Sequence, residues 1–201
     1  MYTLFEFPES GNCYKIRLAF SNLGLPFTSK FVDIRKGESR TPEFLKKNPA
    51  GQVPLVMLPD GIYLPESHAI LWYVTWGTPL LPADQWLQTQ ILRWMSFEQY
   101  KLEPKIGTAR FFLKSMGKKP EELGPKLKEL HDGARFALGI LEADLEKKSF
   151  LVGGAYSIAD IALYGYTHVS DEAGIPLDPY PAIRAWLKRV EAQPGYIAIN
   201  A

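Results

Sequence analysis

The apolar positions change period once, near residue 80, and the change divides the chain. Before it, short apolar runs alternate with short helical stretches. Tyr2 to Phe7 reads as a strand ending at Pro8. From Gly11 onward, Ile16, Ala19, Phe20 and Leu23 fall on one face of a helix that Gly24 stops. Phe27 to Val32 is a second strand, Lys36 to Arg40 a polar loop, and Thr41-Pro42-Glu43 opens a short helix with proline in its first turn. Leu55 to Leu58 and Ile62 to Leu64, joined by Pro59-Asp60-Gly61, form a hairpin. Ser67 to about Val74 is a helix. The predicted order is βαβ, α, ββα.

Gly77-Thr78-Pro79-Leu80-Leu81-Pro82 is punctuated as a linker, and after it the strand signals stop. Asp84 starts a long helix carrying Leu87, Ile91, Trp94 and Phe97, with a kink or an end expected at Pro104. Leu123, Leu127, Leu130, Ala134, Ala137, Leu141 and Leu145 keep helical spacing over five turns. Ser157-Ile158-Ala159-Asp160 begins another helix, with Ser157 as cap and Asp160 in the first turn. A last helix runs from Pro181 to Ala192, ahead of Pro194-Gly195. The expected organisation is a mixed α/β domain over 1–76, a linker over 77–83 and an all-α domain over 84–201.

Composition narrows the function classes. The chain has 201 residues, 46% of them hydrophobic, enough for a sizeable core. Its net charge is +1, from 23 basic and 22 acidic residues that are interspersed, so no footprint for nucleic acid or an anionic membrane is expected. The apolar runs are short of a membrane span, and residues 1–7 lack the pattern of a signal peptide. A single cysteine excludes an internal disulfide and a cysteine-based metal cage; no metal is expected, and the cytoplasm is the expected compartment.

The candidate chemistry lies in three places. In Asn48-Pro49-Ala50-Gly51-Gln52-Val53-Pro54-Leu55-Val56 a loop runs into a strand with proline at the junction. A cis Val53-Pro54 bond would turn the Val53 backbone outward, free to pair with an extended peptide. Pro65-Glu66-Ser67-His68 puts an acid and a hydroxyl at a helix mouth, where a carboxylate meets free N–H groups. Ser10-Gly11-Asn12-Cys13 occupies the strand-to-helix junction. Strand-like pairing beside an anion grip suits a small acidic peptide.

Together these motifs resemble the glutathione-binding half of cytosolic glutathione S-transferases. The Gly153-Gly154 to Asp160 stretch and the Pro181 helix resemble the helical half of the same family. The resemblance implies an α/β thioredoxin-like N-terminal domain followed by an all-α domain. It implies transfer of the glutathione thiolate to a small hydrophobic electrophile, in a homodimer. In the thioredoxin-like location Ser10 replaces the first cysteine of a redox pair, which excludes disulfide exchange within the chain. Ser10 falls where theta-, zeta- and beta-like members carry the catalytic Ser or Cys. Asn12 falls where bacterial disulfide-reductase-like members carry an asparagine.

A free thiol titrates near ~8.5, and a hydrogen bond to a charged group is worth roughly 1.5–3 kcal/mol. A helix terminus adds about 0.3–1 kcal/mol, and about 1.36 kcal/mol moves a pKa one unit, so the Ser10 hydroxyl and the helix start suffice without a general base. Cys13 reads as a buried apolar residue, with a mixed disulfide to glutathione as the alternative.

By the same resemblance Gln52, Lys36, Ser39 and Arg40 meet the glycyl end of glutathione. Val53 pairs with its cysteinyl backbone, Pro54 fixes the Val53 backbone for this, and Glu66 and Ser67 hold the γ-glutamyl end. Phe7, Pro8, Trp94, Phe97, Tyr100, Phe111 and Phe112 are candidates for the second-substrate pocket, although most of an aromatic stripe at helical spacing is core. His68, His131 and His168 read as packing or surface residues. Two other activities fit the pattern: a glutathione-dependent disulfide or peroxide reductase, and a non-catalytic binding or regulatory protein of the same fold.

Overall fold

In the computed structural model, which describes residues 1–201, the N-terminal pattern folds as a four-stranded sheet with helices. Strand β1 (Tyr2–Glu6) runs parallel to β2 (Phe27–Phe31) and antiparallel to β3 (Leu55–Met57), which pairs with β4 (Tyr63–Pro65), giving the order β2-β1-β3-β4. Between the strands come helices α1 (Gly11–Asn22) and α2 (Pro42–Lys47), and α3 (Ser67–Val74) follows β4. The polar loop at 36–40 is tighter than expected, two 3-10 turns at Ile34–Lys36 and Glu38–Arg40. The Asp33 carboxylate starts the first by accepting from the Arg35 N–H at 3.1 Å.

Side-chain alternation along β1 divides the core. Phe5 and Leu55, opposite each other in register, pack with Val32 and Phe44, and Val53, Met57 and Tyr63 close over them. Leu4 and Val56, the next register pair, project to the other face. Ile16 and Phe20 of α1 and Ile70 and Leu71 of α3 are fully buried, and α1 packs beside α3. Burying each such side chain is worth about 1.5–3 kcal/mol. Two charged residues are buried within α1 as well. Lys15 is 0% exposed, and Arg17 forms a 3.0 Å ion pair with the buried Glu6.

The chain divides into two units: Met1–Trp76 together with Pro194–Ala201, and Gly77–Gln193. The sequence places 194–201 with the helical domain, whereas its contacts lie with the first unit. Arg17 donates to the carbonyls of Ile199 at 2.6 Å and Pro8 at 2.9 Å. The Tyr14 hydroxyl donates to the Ile197 carbonyl at 2.7 Å, and the Asn22 amide to that of Pro194, also at 2.7 Å. Gly195 has φ +73°, and a Cβ there would meet Ser21 O at 2.6 Å, so only glycine lets the segment lie this close to the end of α1.

The second unit is helical. Asp84 caps α4 (Gln85–Phe97) through a 2.9 Å bond from the Leu87 N–H. A π turn at Glu98–Leu102 leads into α5 (Glu103–Arg110), and a second follows at Phe111–Ser115. The first turn explains how Pro104 is carried. Proline cannot donate and crowds the carbonyl four residues back, and the wider π turn relieves that conflict as the α-helix restarts.

After α6 (Pro120–Leu123), α7 (Pro125–Leu145) buries Leu127, Leu130, Ala134, Ala137, Leu141 and Leu145 as the spacing predicts, while Leu123 falls just before it. Helices α8 (Ile158–Thr167) and α9 (Pro181–Glu191) complete the unit. Asp160 sits at the base of α8, fully buried. It accepts from the N–H groups of Leu151 and Ser157, the Ser157 hydroxyl and the Trp186 indole, all at 2.9–3.1 Å.

Two buried groups of this unit respond to acid in opposite senses. Burial holds His168, stacked on Tyr164, down to about 4 from an ordinary 6.5. The unfolded chain therefore takes up a proton that the folded one refuses, and stability falls as the pH drops from 6.5 through 4. Burial raises Asp160 from 3.8 to about 6, against the pull of its four donors. Its contribution runs the other way, fully present below 3.8 and lost as the pH rises through 6. Replacing His168 by glutamine should therefore flatten or reverse the loss of Tm between neutral pH and pH 5. An unchanged slope would remove His168 as its source.

Candidate functional site

The start of α1 and the start of α3 meet. Ser10 caps α1, its Oγ accepting from the Cys13 N–H at 3.3 Å, which leaves the hydroxyl hydrogen to donate elsewhere. Asn12, on the first turn of α1, has its Oδ1 held from two sides. Lys15 Nζ donates to it at 2.7 Å, and Ser67 Oγ, at the first position of α3, donates at 3.4 Å. Ser10 and Asn12 are half-buried, and Ser67 is buried. Asn12, a candidate for sulfur contact, and Ser67, a candidate for the γ-glutamyl grip, thus share one hydrogen-bond network.

Glu66 precedes α3 with φ +72°, ψ 114°, the one non-glycine residue of the chain at positive φ. Such backbone costs of order 1–3 kcal/mol and clusters where a ligand is gripped. No side chain caps α3, so its first N–H groups are not occupied by a capping oxygen, and the Glu66 side chain is exposed.

The Val53–Pro54 bond is cis, the geometry expected from the sequence. The loop before it is braced by Asn48, whose amide donates to Gln52 O at 2.9 Å and whose Oδ1 accepts from the Ala50 N–H at 3.1 Å. Gly51 lies against the 39–40 backbone and side chain: a Cβ would come within 2.9 Å of Ser39 O and 2.8 Å of the Arg40 guanidinium. Arg40 itself donates to Ala50 O at 2.9 Å. Ser39 is thereby buried against the loop, while Gln52 stays exposed. Lys36 is also exposed, its ammonium 3.8 Å from Asp33.

Cys13 is 0% exposed, and burial pushes its thiol up to about 12, so it stays protonated and apolar. Of the aromatic candidates, Phe7 is buried under the Arg35 guanidinium and Pro8 is exposed, its carbonyl held by Arg17. In the helical unit Trp94 is 1% exposed and packs edge-on against the half-buried Phe97. Tyr100 is 75% exposed, and Phe111 is half-buried beside Phe112. The imidazole of His131 bonds to Ala173 O at 2.8 Å and that of His168 to Tyr164 O at 2.7 Å, so both serve packing.

Lys15 and Arg17 escape the sequence reading, and Asn48 enters it only as the first residue of the loop, without its bracing role. Asn48 has a local signal, an Asn-Pro followed by glycine, which suits an Asx-type turn. Lys15 has only its place in an otherwise apolar stretch.

Family models place the chain in two consecutive matches: the N-terminal domain of glutathione S-transferase over residues 9–75 and its C-terminal domain over 99–194. A crystal structure of a glutathione S-transferase from Pseudomonas fluorescens is 45% identical, covering 100% of this chain and 99% of that one, with a TM-score of 0.97. Ure2p in complex with glutathione is 29% identical over 96% of this chain and 95% of that one, at a TM-score of 0.85. The transcriptional regulator URE2 of Saccharomyces cerevisiae is 28% identical over 98% of this chain but only 66% of its own length; the chain spans about two thirds of such curated relatives. With both domain types matched in order, and one solved structure alike from end to end, the chain belongs to the glutathione S-transferase family.

Proposed function

We propose that the protein binds glutathione along Gln52–Pro54 and Glu66–Ser67 and transfers its sulfur to a small hydrophobic electrophile. The observation that carries this reading is the hydrogen bond from Ser67 to Asn12, which brings the grip for the γ-glutamyl end against the start of α1. The glutamyl carboxylate meets the Ser67 and His68 N–H groups and the Glu66 carboxylate faces the ammonium. The Val53 backbone pairs with the cysteinyl unit, Ser39 and Lys36 lie toward the glycyl end, and the sulfur reaches Ser10 and Asn12. The solved complex of Ure2p with glutathione supports the ligand assignment.

The thiol proton leaves to solvent as Ser10 and Asn12 donate to the sulfur. The thiolate then attacks the electrophilic carbon, a C–S bond forms, and the leaving group departs with its electron pair. By family likeness the second substrate is a small hydrophobic electrophile, and the protein is a cytoplasmic homodimer.

Ser10→Ala and Asn12→Ala should each lower turnover about 10–100-fold, as expected for one donor to a developing anion, with glutathione affinity nearly kept. Titration of the bound thiolate by its ultraviolet absorbance, beside turnover of a chloronitrobenzene substrate, checks this. Unchanged turnover in both variants removes them from the mechanism.

A second reading is specifically favoured by Asn12. It is the more firmly held of the two donors, and it stands where reductase-like members carry their asparagine. A coupled assay on a disulfide substrate separates reduction from conjugation. Calorimetric binding of glutathione with neither activity would favour a regulatory protein, the description that the relative URE2 carries.

A further inference from the structure

We propose that Lys15 is a positioning residue for thiolate formation: its buried ammonium fixes Asn12 Oδ1, so that the amide turns its N–H donors toward the sulfur of bound glutathione. The inference rests on the glutathione reading above and adds to it a residue that contacts neither substrate.

The chemistry of the partners decides the amide's orientation. The two ends of an asparagine amide have the same outline, and an isolated one rotates freely between them. An ammonium has donors only, so the atom 2.7 Å from Lys15 Nζ must be the oxygen. Ser67 Oγ donates to the same oxygen at 3.4 Å, from another helix. Turning the amide over would set two donors face to face beside a side chain that is 0% exposed, where no water can intervene. The Asn12 nitrogen is therefore the end directed away from both partners. Since Lys15 and Asn12 are separated by one helical turn, the arrangement is built into α1 before any ligand arrives.

The design matters because a thiolate is an acceptor. An amide presenting its oxygen would repel the sulfur anion and favour the protonated thiol; one presenting its nitrogen does the reverse. Ser67 extends the arrangement, since the same hydroxyl that steadies Asn12 begins the helix that grips the γ-glutamyl end. Cys13, between these residues in sequence, is buried and remains a thiol, so the chain brings no thiolate of its own to the site.

The test is a titration of the glutathione thiol bound to the full-length protein, followed by thiolate absorbance and by the acid limb of the kcat/KM profile. Lys15→Met keeps the aliphatic volume and removes the donor. It should raise the midpoint by about one pH unit, a tenfold loss of thiolate on the acid side, with the rate recovering at high pH. Because Lys15 acts through Asn12, the double variant with Asn12→Ala should titrate no higher than Asn12→Ala alone; additive shifts would overturn the proposal.

Asn12→Asp guards against a Lys15 variant that fails to fold. It keeps the acceptor for Lys15 and Ser67 but has no N–H to offer, and should raise the midpoint at least as far as Asn12→Ala. A wild-type midpoint in Asn12→Asp, or in a folded Lys15→Met, overturns the role of Lys15 and leaves glutathione binding standing. Absence of any glutathione-dependent thiolate band in the wild-type protein overturns the glutathione reading itself, and this inference with it.

Discussion

Alanine at Asp160 is expected to destabilise the helical unit by about 4 kcal/mol, well above the usual effect of a point substitution. Four donors lose their acceptor together: the Leu151 and Ser157 N–H groups, the Ser157 hydroxyl and the Trp186 indole. Each buried donor left unmet costs about 1–3 kcal/mol, and the sum is reduced where the loop ahead of α8 opens to water. In a chain of this size the loss corresponds to a fall in Tm of about 10 °C. Asparagine should do roughly half the damage. It keeps an oxygen for Leu151 and Trp186, but sets an NH2 against the Ser157 N–H. Denaturant midpoints of the two variants check the order. An alanine variant within about 1 kcal/mol of wild type would show that the network adds little.

The second large effect is a trade of binding for stability at Glu66. Its backbone sits at φ +72°, where a side chain is strained and glycine is not. Glu66→Gly should raise the unfolding free energy by about 1 kcal/mol. The same change should weaken glutathione binding at least about tenfold, or 1.4 kcal/mol, through loss of the carboxylate facing the ammonium. Glu66→Ala separates the two contributions, since it loses the carboxylate but keeps the strain. It should bind as poorly as the glycine variant and be the less stable of the two. If alanine proves the more stable, residue 66 is not held under strain. If both bind glutathione normally, the γ-glutamyl end lies elsewhere.

Most of the fold was legible because the signals are local. Ser10, Thr41, Asp84 and Ser157 each stand one residue before a helix and cap it in the structure. The hairpin turn at 59–61 and the switch of period near residue 80 needed no distant information either. The π turns at 98–102 and 111–115 were invisible, because a one-residue widening barely disturbs an apolar stripe.

In the site, the motifs around 53 and 66 were readable as motifs, but the meeting of the second with α1 was carried by the resemblance. The bond from Ser67 to Asn12 spans 55 residues of sequence. Lys15 and Arg17 had no role in the sequence reading, and both are buried. Their acceptors explain this: Asn12 lies a turn away, but the carbonyl of Ile199 lies 182 residues on. No window of sequence shows a lysine or arginine which distant backbone will surround it.

The docking of residues 194–201 onto α1 has a consequence for how the protein is made. Residues 1–76 are synthesised first, but Arg17 and Tyr14 acquire the carbonyls of Ile199 and Ile197 only after every helix of the other unit has left the ribosome. Until then a nascent 1–76 lacks these acceptors, and the Tyr14 hydroxyl and part of the Arg17 guanidinium are left to water. Final closure of the first unit thus doubles as a check that translation has run through the second.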